Sequence, residues 1–540
     1  MPYKLGSGRG MENLLLLTDS YKVSHHVQYP KGTTTIYSYF ESRGGRHREV
    51  CFFGLQYFIK RYLTGVVVTK EKIDEAADMY AAHFGPGTNV FNREGWEYIL
   101  KNHGGKLPVR IKAVPEGTVL PYKNCCMTVE NTDPKCFWLV NFLETLLVQV
   151  WYPMTVASNS REQKKVILKY LSETSVWKDA KDPNHPDAAV NFKLHDFGFR
   201  GVSSVETAGI GDAGHLTQFL GTDTIAGLCV VRDFYNLNKG VAGYSIPASE
   251  HSTMTSWGRP NETKAMENML NVYPKGLVAC VSDSYNIWSA VKEKYGKALK
   301  EKILKREGTL VVRPDSGPPA LVDLALLQKL GEAFGKTKNA KGYFELPPQV
   351  RVIQGDGIDY TMLIQICETL KRAGWSVANI AFGSGGGLLQ KMNRDTQKVA
   401  FKCSLAVVNG KEIEVYKQPV HSPFKMSKRG RMTVNMDPKT GEYTTKLGKD
   451  RDEKTDILET VFENGELKID NNWDTIRKRA AIDADTVMKK YATGIDAKAK
   501  EVMDAYTGSE REKKDKASMA LAEKLNAGWD ETTNTSTVKA

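Results

Sequence analysis

The sequence predicts an α/β protein built around a barrel-like ring of parallel strands that alternate with helices. Short apolar or β-branched runs recur through the middle of the chain, and each ends in a cluster of charged, histidine or glycine residues. Successive ends lie 27, 28, 32, 30, 43 and 28 residues apart, which suits a strand, a loop, a helix and a return. The runs end near Asp196, Asp223, His251, Asp283, Arg313, Asp356 and Ser384.

The strands and the helices between them each have their own pattern. Runs such as 277–281 and 309–312 are apolar on both faces, which is typical of a parallel sheet covered by helices. The intervening segments 287–299 and 363–370 carry apolar residues at helical spacing. Such a repeat closes most readily into a (β/α) barrel, whose active site lies at the carboxyl ends of the strands. A doubly wound open sheet is the alternative.

The chain of 540 residues is longer than one compact core usually holds, which predicts more than one domain. We assign residues 181–389 to the barrel-like domain. Residues 11–180 and 390–480 mix short strands and helices and are expected to pack together as a second α/β domain. Residues 481–540 are rich in Lys, Glu and Ala, which predicts helices that end in a disordered tail.

Composition narrows the class of protein. An apolar content of 41% with 26% charged residues is typical of a globular chain, and the longest apolar run, 137–154, is interrupted by Asn141, Glu144 and Gln149. We therefore expect no membrane span. Eight cysteines without a CxxC pair indicate reduced thiols, which favours a cytoplasmic protein without a cysteine-bound metal.

The formal net charge of +12 is compatible with nucleic acid, an anionic membrane or small polyanionic substrates. Apart from the stretches 425–431 and 510–516, the basic residues are scattered, and no zinc-ligand pairs or RNA-binding aromatic motif accompany them. We expect no nucleic acid partner, although a nonenzymatic nucleic-acid-binding protein remains an alternative of another class.

Two glycine-rich loops end predicted strands. GSGGG (383–387) and QGDG (354–357) allow close approach of a phosphate or a ribose to the backbone, and each is equally compatible with a tight turn. Neither matches GxGxxG or GxxxxGK[ST], so no Rossmann or Walker site is predicted. No Ser-His-Asp order, HExxH helix or transition-metal ligand spacing is present, which predicts no protein-bound metal.

Charged residues at other strand ends admit a plain and a functional interpretation. Arg313 and Asp315 are compatible with a surface ion pair. They are also compatible with a site in which the arginine binds a phosphate and the aspartate binds ribose hydroxyls. Asp283 suits a helix cap, and a lone histidine such as His251 is more often structural than catalytic. Their recurrence at successive strand ends favours a site for a sugar polyphosphate.

Taken together, these clusters resemble the nicotinamide phosphoribosyltransferase family. The similar stretches run in order over about residues 13–430 and include NLLLLTDSYKVSH, YSYFESR, KLHDFGFRGVSSVETAGIG, GTDTIAG, SIPASEHS, VSDSYNIW, VVRPDSG, QGDGID and FGSGGGLLQK. The resemblance implies a homodimeric type II phosphoribosyltransferase with active sites shared between subunits. It implies transfer of phosphoribosyl from phosphoribosyl pyrophosphate (PRPP) to nicotinamide in NAD salvage, with substrate-bound Mg²⁺ and coupled hydrolysis of ATP.

The resemblance also implies roles for individual residues. Catalytic roles fall to His251, as the histidine phosphorylated by ATP, and to Glu250, Arg313 and Asp315. The nicotinamide site would comprise Phe197, Arg200, Asp223, Ser245 and, from the other subunit, Tyr21. The PRPP, ribose and phosphate site would comprise Arg43, Asp283, Arg313, Asp315, Gly355, Asp356, Gly385, Gly386, Arg394, Lys402, Lys417 and Lys425.

The sequence differs from the family in two places, and one related activity is an alternative to the one that the resemblance implies. Ala279 stands where relatives carry a small hydroxyl residue, and the chain continues past the usual end of the family from about Ala480. The rival is a nicotinate phosphoribosyltransferase, from which the carboxylate of Asp223 distinguishes the chain because it would repel the carboxylate of nicotinate.

Overall fold

The computed structural model describes residues 9–85, 87–417 and 427–538. Contacts divide the chain into two compact units. The first unit comprises Met1–Ser158, Cys229–Gly240 and Met392–Ala480, and the second comprises Asn159–Leu228, Val241–Lys391 and Ala481–Ala540. The sequence analysis placed domain boundaries at residues 180, 390 and 480. Those boundaries concern independent domains and stay a prediction. No helix among the described residues combines the length and apolar character that crossing a bilayer requires.

The described strands are β1 (Thr33–Ser42), β2 (Glu49–Cys51), β3 (Val109–Ala113), β4 (Val119–Pro121), β5 (Cys125–Asn131), β6 (Leu194–Asp196), β7 (Gly221–Thr222), β8 (Lys275–Val281), β9 (Glu307–Arg313), β10 (Thr337–Lys338), β11 (Phe344–Glu345), β12 (Val350–Gln354), β13 (Ile380–Ser384), β14 (Val399–Val408), β15 (Lys411–Glu414), β16 (Met432–Met436), β17 (Tyr443–Leu447), β18 (Glu459–Glu463), β19 (Glu466–Leu467), β20 (Trp529–Asp530) and β21 (Thr535–Ser536).

The described α-helices are α1 (Leu55–Phe58), α2 (Lys70–Phe84), α3 (Arg93–His103), α4 (Leu139–Phe142), α5 (Glu144–Leu147), α6 (Trp151–Thr174), α7 (Pro186–Ala189), α8 (Val205–Leu216), α9 (Ile225–Phe234), α10 (His251–Thr255), α11 (Glu262–Val272), α12 (Ile287–Ser289), α13 (Lys300–Leu304), α14 (Pro319–Phe334), α15 (Tyr360–Arg372), α16 (Gly386–Leu389), α17 (Trp473–Ala480), α18 (Ala484–Lys490), α19 (Ala492–Tyr506) and α20 (Glu510–Ala527). A π-helical stretch, Ala290–Ala298, continues α12.

The second unit contains the predicted parallel sheet. Its six strands lie in the order β7-β6-β13-β12-β9-β8, and every pairing between neighbours is parallel. Apolar side chains from three strands, Ala279, Val311 and Ile353, are buried together, with Phe197 and Ile246 packed against them. The α/β class and the parallel strands are therefore confirmed.

A short segment between β7 and β8 joins the two edges of this sheet. Tyr244 forms a parallel bridge with Gly221 on β7, and Ala248 forms one with Ala279 on β8. Pro247 lies between these bridges and has no N–H to donate, which explains why the strand predicted to end near His251 is reduced to two bridges. Because both edges are linked, the strands form a ring in sequence order, and the open-sheet alternative is wrong.

The first unit is built around an antiparallel sheet. Its seven strands lie in the order β15-β14-β1-β5-β3-β18-β19, with the buried strand β1 between β14 and β5. The strands come from both flanks of the chain, as the mixed composition of those flanks predicted. This sheet carries the basic residues described below.

The last sixty residues belong to the second unit. Helices α18, α19 and α20 agree with the helical composition, but the predicted disordered tail is wrong for the described part. Strands β20 and β21 pair as a hairpin, and Asn534 beside them is 2% exposed. Its amide donates to Glu262 Oε2 at 2.9 Å, so buried polar contacts order a segment whose composition alone is polar.

Candidate active site

An aromatic ring lies against backbone at the carboxyl ends of three strands. A Cβ at Gly383 would be 2.0 Å from Cε2 of Phe197, and one at Gly355 would be 3.1 Å from it. Glycine at both positions thus lets the Phe197 ring lie flat on the strand ends. The side chain is half-buried, with one part packed on the core and the rest free to stack on a planar ligand.

Asp223 lies beside this ring and is held from two sides. His195 Nε2 is 2.8 Å from Asp223 Oδ1, and the hydroxyl of Ser245 donates to the same oxygen. Burial opposes ionisation, but these contacts and the charge of Arg313 lower the pKa of Asp223. The carboxylate is therefore ionised near neutral pH and accepts hydrogen bonds.

Two fully buried carboxylates support this pocket from beneath. Burial followed by the charge of Asp196 raises the pKa of Asp212 far above its usual value. Asp196 Oδ1 accepts the N–H of Gly198 at 2.6 Å, and Asp212 Oδ1 accepts the hydroxyl of Thr222 at 2.8 Å. We infer from the raised pKa that the pair keeps one proton between its two carboxyl groups, and the bonds to Gly198 and Thr222 fix the residues adjoining Phe197 and Asp223.

We expect Asp212→Ala to lower the free energy of unfolding by about 2–4 kcal/mol, because it leaves a buried carboxyl of Asp196 without its partner. Asp212→Asn should cost less than about 1 kcal/mol, since the amide N–H replaces the shared proton. A folded-state pKa above the unfolded value means that stability is full in acid and is lost as the pH rises through the folded pKa. Denaturant unfolding should therefore show that the stability of the wild type declines as the pH rises above the unfolded-state pKa of about 4, and that Asp212→Asn lacks this decline; parallel curves would contradict the shared proton.

A second cluster surrounds His251. Its Nε2 lies 3.5 Å from Asp283 Oδ1 and 3.4 Å from Asp315 Oδ2, and its Nδ1 lies 3.3 Å from the hydroxyl of Ser284. Asp315 Oδ2 is also 3.5 Å from Arg313 Nη2. The imidazole is thus oriented by two carboxylates and a hydroxyl while 43% of its side chain stays exposed.

The loop after β9 is tied to the loop after β8. Asp283 Oδ2 accepts the N–H of Asp315 at 3.1 Å and the hydroxyl of Ser316 at 2.5 Å. Asp356, after β12, faces the same group: burial and then the charges of Asp315 and Asp283 raise its pKa. Two carboxylates close enough to raise the pKa of a third form, together with it, a natural site for a cation or for sugar hydroxyls.

The glycine-rich loop after β13 leaves room for a ligand. Nothing lies within 4 Å of a Cβ placed on Gly386, and a Cβ on Gly385 would make only ordinary contacts, the nearest at 3.4 Å. Packing therefore requires glycine at neither position, whereas a Cβ on Gly387 would be 2.3 Å from the carbonyl oxygen of Ile358. Gly387 serves the turn, and the absence of a side chain at Gly385 and Gly386 suits close approach of a phosphate.

The remaining predicted residues of the second unit lie at its surface. Arg200 is exposed, and its side chain forms no hydrogen bond or ion pair with the described residues. Glu250 caps α10, its carboxylate accepting the N–H of Thr253 and contacting the hydroxyl of Ser252. The carboxylates that face His251 are therefore those of Asp283 and Asp315.

The first unit gathers the predicted phosphate-binding cations. Burial and then, among other charges, those of Arg43, Lys417 and Arg394 lower the pKa of Lys402, whereas Glu144 opposes the shift. Four basic side chains thus lie close enough to repel one another, which favours binding of a polyanion. The fifth predicted cation, Lys425, lies outside the described residues.

Tyr21 belongs to the same unit and is 59% exposed. Its neighbour Lys22 donates to Glu144 Oε2 at 2.6 Å, and Glu144 Oε1 is 4.0 Å from Lys402 Nζ. Lys22, next to Tyr21 in the chain, and Lys402 of the basic group therefore both interact with the carboxylate of Glu144.

Sequence reasoning missed several contributors. His195, Ser284, Ser316 and Glu144 contact predicted residues, as the distances above show, and Asp212 supports the pocket through Thr222. For three of them the signal was proximity in sequence to a predicted residue: His195 lies two residues before Phe197, and Ser284 and Ser316 follow Asp283 and Asp315. Asp212 lies within a helix and carries no comparable signal.

Two groups of side chains bear on metal binding. The carboxylates of Asp283, Asp315 and Asp356, with Asp283 Oδ1 buried and lacking a hydrogen-bond partner, offer the oxygen ligands that Mg²⁺ prefers. Elsewhere in the described chain, His103, Asp133 and Cys136 bring their donor atoms within 4.8 Å of one another. Asp133 already accepts hydrogen bonds from Tyr98 and His103, which accounts for that grouping.

Comparison with known proteins identifies the family. Residues 192–466 match the profile of the nicotinate phosphoribosyltransferase (NAPRTase) family, and residues 13–111 match the N-terminal domain of nicotinamide phosphoribosyltransferase. The nicotinamide phosphoribosyltransferase of Xanthomonas campestris pv. campestris is 48% identical over 480 residues, covering 88% of this chain and 99% of that protein. The nicotinamide phosphoribosyltransferase of Acinetobacter baylyi is 32% identical, covering 87% and 97%.

The fold has a solved counterpart. The crystal structure of nicotinate-nucleotide pyrophosphorylase from Pyrococcus furiosus superposes with a TM-score of 0.54 at 14% identity, covering 91% of this chain and 98% of that one. This likeness concerns the fold alone, whereas the sequence relatives extend across the ring, its strand-end residues and the antiparallel sheet. The chain belongs to the nicotinamide phosphoribosyltransferases, within the broader nicotinate phosphoribosyltransferase family.

Proposed function

We propose that this protein transfers the phosphoribosyl group of PRPP to nicotinamide, giving nicotinamide mononucleotide and pyrophosphate. One observation carries the proposal. Asp223 is ionised and held by His195 and Ser245, close enough to Arg313 for that charge to lower its pKa. An acceptor for a carboxamide N–H thus adjoins residues suited to a sugar phosphate, and the relatives bear the same activity in their names.

The reaction requires that a flat nucleophile meet an anomeric carbon. The nicotinamide ring nitrogen forms a bond to C1 of the ribose while the C1–oxygen bond to pyrophosphate breaks and its electron pair leaves with pyrophosphate. Stacking on Phe197 and the hydrogen bond to Asp223 fix the ring for this attack. Asp315 and Asp356 stabilise the positive charge that develops on the ribose, and Arg313 binds the phosphate side.

Cations assist departure of the pyrophosphate. We propose that Arg43, Arg394, Lys402 and Lys417 bind its charge, because the charges of the other three help to lower the pKa of Lys402. We include Lys425 on the family resemblance alone. Asp283, Asp315 and Asp356 would hold Mg²⁺ together with PRPP oxygens, and the ion would supply charge neutralisation on the leaving group.

ATP enters through His251. We propose that its imidazole forms a bond to the γ-phosphorus of ATP as the bond from that phosphorus to ADP breaks, and that the phosphate is later transferred to water. The two carboxylates within 3.5 Å of Nε2 orient the imidazole, and Arg313 beside them suits an incoming phosphate.

The direct test is an assay of the purified protein with PRPP, Mg²⁺ and either nicotinamide or nicotinate. We expect nicotinamide mononucleotide with nicotinamide and a much lower kcat/KM with nicotinate. Preference for nicotinate would replace the proposal by the rival activity, and no product with either base would refute both.

We further propose a cytoplasmic homodimer in which Tyr21 of one subunit completes the base site around Phe197 of the other. The exposed aromatic ring of Tyr21, next to the basic group, supports this arrangement. Tyr21→Ala and Asp315→Ala should each reduce activity at least about a hundredfold, and a mixture of the two should recover up to about a quarter of wild-type activity through hybrid dimers with one intact site. Subunit exchange is checked with two affinity tags; exchange without recovery contradicts the shared site.

A further inference from the structure

A cavity of about 340 Å³ adjoins the strand-end site and is walled on one side by the last sixty residues. One wall comes from the loops after β8 and β9, including Asp283, Tyr285, Trp288 and Ser316. The opposite wall comes from α20 and the hairpin, including Ala522 and Trp529. The volume is in the range of sites that hold small molecules.

Both ends of this wall are fixed to the ring by polar contacts. Near α20, the amide of Asn286 donates to Asn526 Oδ1 at 3.0 Å. At the hairpin, the hydroxyl of Ser289 donates to Glu531 at 2.7 Å, and the amide of Asn534 donates to Glu262 at 2.9 Å. Since Asn286, Ser289, Glu262 and Asn534 are buried, the cavity has two fixed walls and is a built feature of the unit.

The lining indicates the chemistry of the ligand. Tyr285, Trp288 and Trp529 offer aromatic surface for a planar heterocycle. The hydroxyls of Ser316, Ser518 and Ser536 and the carboxylate of Asp283 offer hydrogen bonds. Within the described chain the lining includes neither lysine nor arginine, so it suits an uncharged ligand.

Two lining residues carry a buried polar atom without a hydrogen-bond partner in the described structure. Trp529 Nε1 has an N–H to donate, and Asp283 Oδ1, which lies 3.5 Å from His251 Nε2 without a hydrogen bond, is an acceptor. A ligand with an acceptor on a flat ring and donors on a hydroxylated portion satisfies both, which a nucleoside does with its ring nitrogens and its ribose hydroxyls.

We propose that this cavity is an effector site for an uncharged purine nucleoside, separate from the site that binds nicotinamide. The base would lie among Tyr285, Trp288 and Trp529. The ribose hydroxyls would donate hydrogen bonds to Asp283 and contact the hydroxyl of Ser316. The last sixty residues thereby acquire a role, that of the second wall of the site.

The site is coupled to the strand ends through Asp283. The same carboxylate accepts hydrogen bonds from Asp315 and Ser316 and lies 3.5 Å from His251. A nucleoside bound to Asp283 withdraws it from that network, so it weakens binding of PRPP, and PRPP weakens binding of the nucleoside by the same factor. This consequence rests on the proposed function, whereas binding of the nucleoside does not.

The test compares two substitutions on one helix. Ala522 lines the cavity, whereas Ala520, two residues away, is exposed and outside the lining. Adenosine is titrated into the full-length wild type, Ala522→Trp and Ala520→Trp, and binding is measured by calorimetry. We expect one site per chain, a loss of affinity of at least about tenfold in Ala522→Trp, and wild-type affinity in Ala520→Trp.

Further titrations identify the site and the charge that it accepts. Nicotinamide should not displace adenosine, and AMP should bind at least about tenfold more weakly because its phosphate finds no cation in the lining. PRPP should lower the affinity for adenosine in the wild type. Absence of adenosine binding, equal binding by Ala522→Trp, displacement by nicotinamide, or equal or tighter binding of AMP would each overturn the proposal. If the protein fails to convert nicotinamide but binds adenosine as described, only the proposed function fails.

Discussion

His251→Ala is expected to abolish formation of an acid-labile phosphoenzyme and to remove ATP hydrolysis, while leaving slow synthesis that does not depend on ATP. In the proposed mechanism the imidazole bonds to the γ-phosphorus, so its removal eliminates the covalent step. The residues proposed to stack, orient and bind nicotinamide and PRPP are unchanged by this substitution. The protein is incubated with γ-labelled ATP, and the label that stays bound in base and is released in acid is measured.

A matched histidine substitution controls for loss of the fold. His83 is exposed on α2, and His83→Ala should label as the wild type does. Ser284→Ala removes only the contact to His251 Nδ1 and should slow labelling without preventing it. Equal labelling of wild type and His251→Ala would exclude His251 as the phosphate acceptor.

Asp223→Asn is expected to shift the ratio of kcat/KM values from nicotinamide toward nicotinate by about 10- to 1,000-fold. Two carboxylates about 4 Å apart repel by about 4 kcal/mol at an effective dielectric constant near 20, which sets the upper figure. His195 lies 2.8 Å from Asp223 and reduces the repulsion to the extent that it is protonated, which sets the lower one. Steady-state kinetics with both bases at fixed PRPP measure the ratio.

The control for this substitution changes another aspartate to asparagine. Asp233 is exposed and pairs with its neighbour Arg232, so Asp233→Asn should leave the ratio unchanged. A ratio unaffected by Asp223→Asn would assign base selectivity to another residue of the pocket, of which Arg200 is the first to test.

The ring was predictable because its local signals and its tertiary structure agree. Each buried parallel strand is a short apolar run, and each run ends where the chain must present polar groups. The exception is the segment before His251. Its apolar residues predicted a strand. Pro247, between the two bridges, has no N–H to donate to a neighbouring strand, so the segment forms a single bridge with each edge strand of the sheet and no longer pairing.

The site was predictable at the level of residues and much less at the level of contacts. Strand ends identified Asp223 and Asp283, but the partners His195 and Ser316 follow from the register of neighbouring strands and loops, which a single sequence does not specify. Asp212 was missed for a different reason. A charged residue in a helix normally faces solvent, and only tertiary packing places this one against Asp196.

The sequence order of the ring has a consequence for how the chain folds. Around the ring, each strand lies beside the ring strand that follows it in the chain, with the segment 244–248 between β7 and β8, except at the seam where β13 meets β6 and Phe382 pairs with Leu194. Local pairings form at small cost in chain entropy, whereas this seam brings together residues separated by nearly the whole ring. We therefore expect the ring to grow by successive addition and to close last at β13 and β6. Gly383 and Phe197, whose contact forms the floor of the proposed base pocket, lie at this seam, so that pocket is completed only when the ring closes.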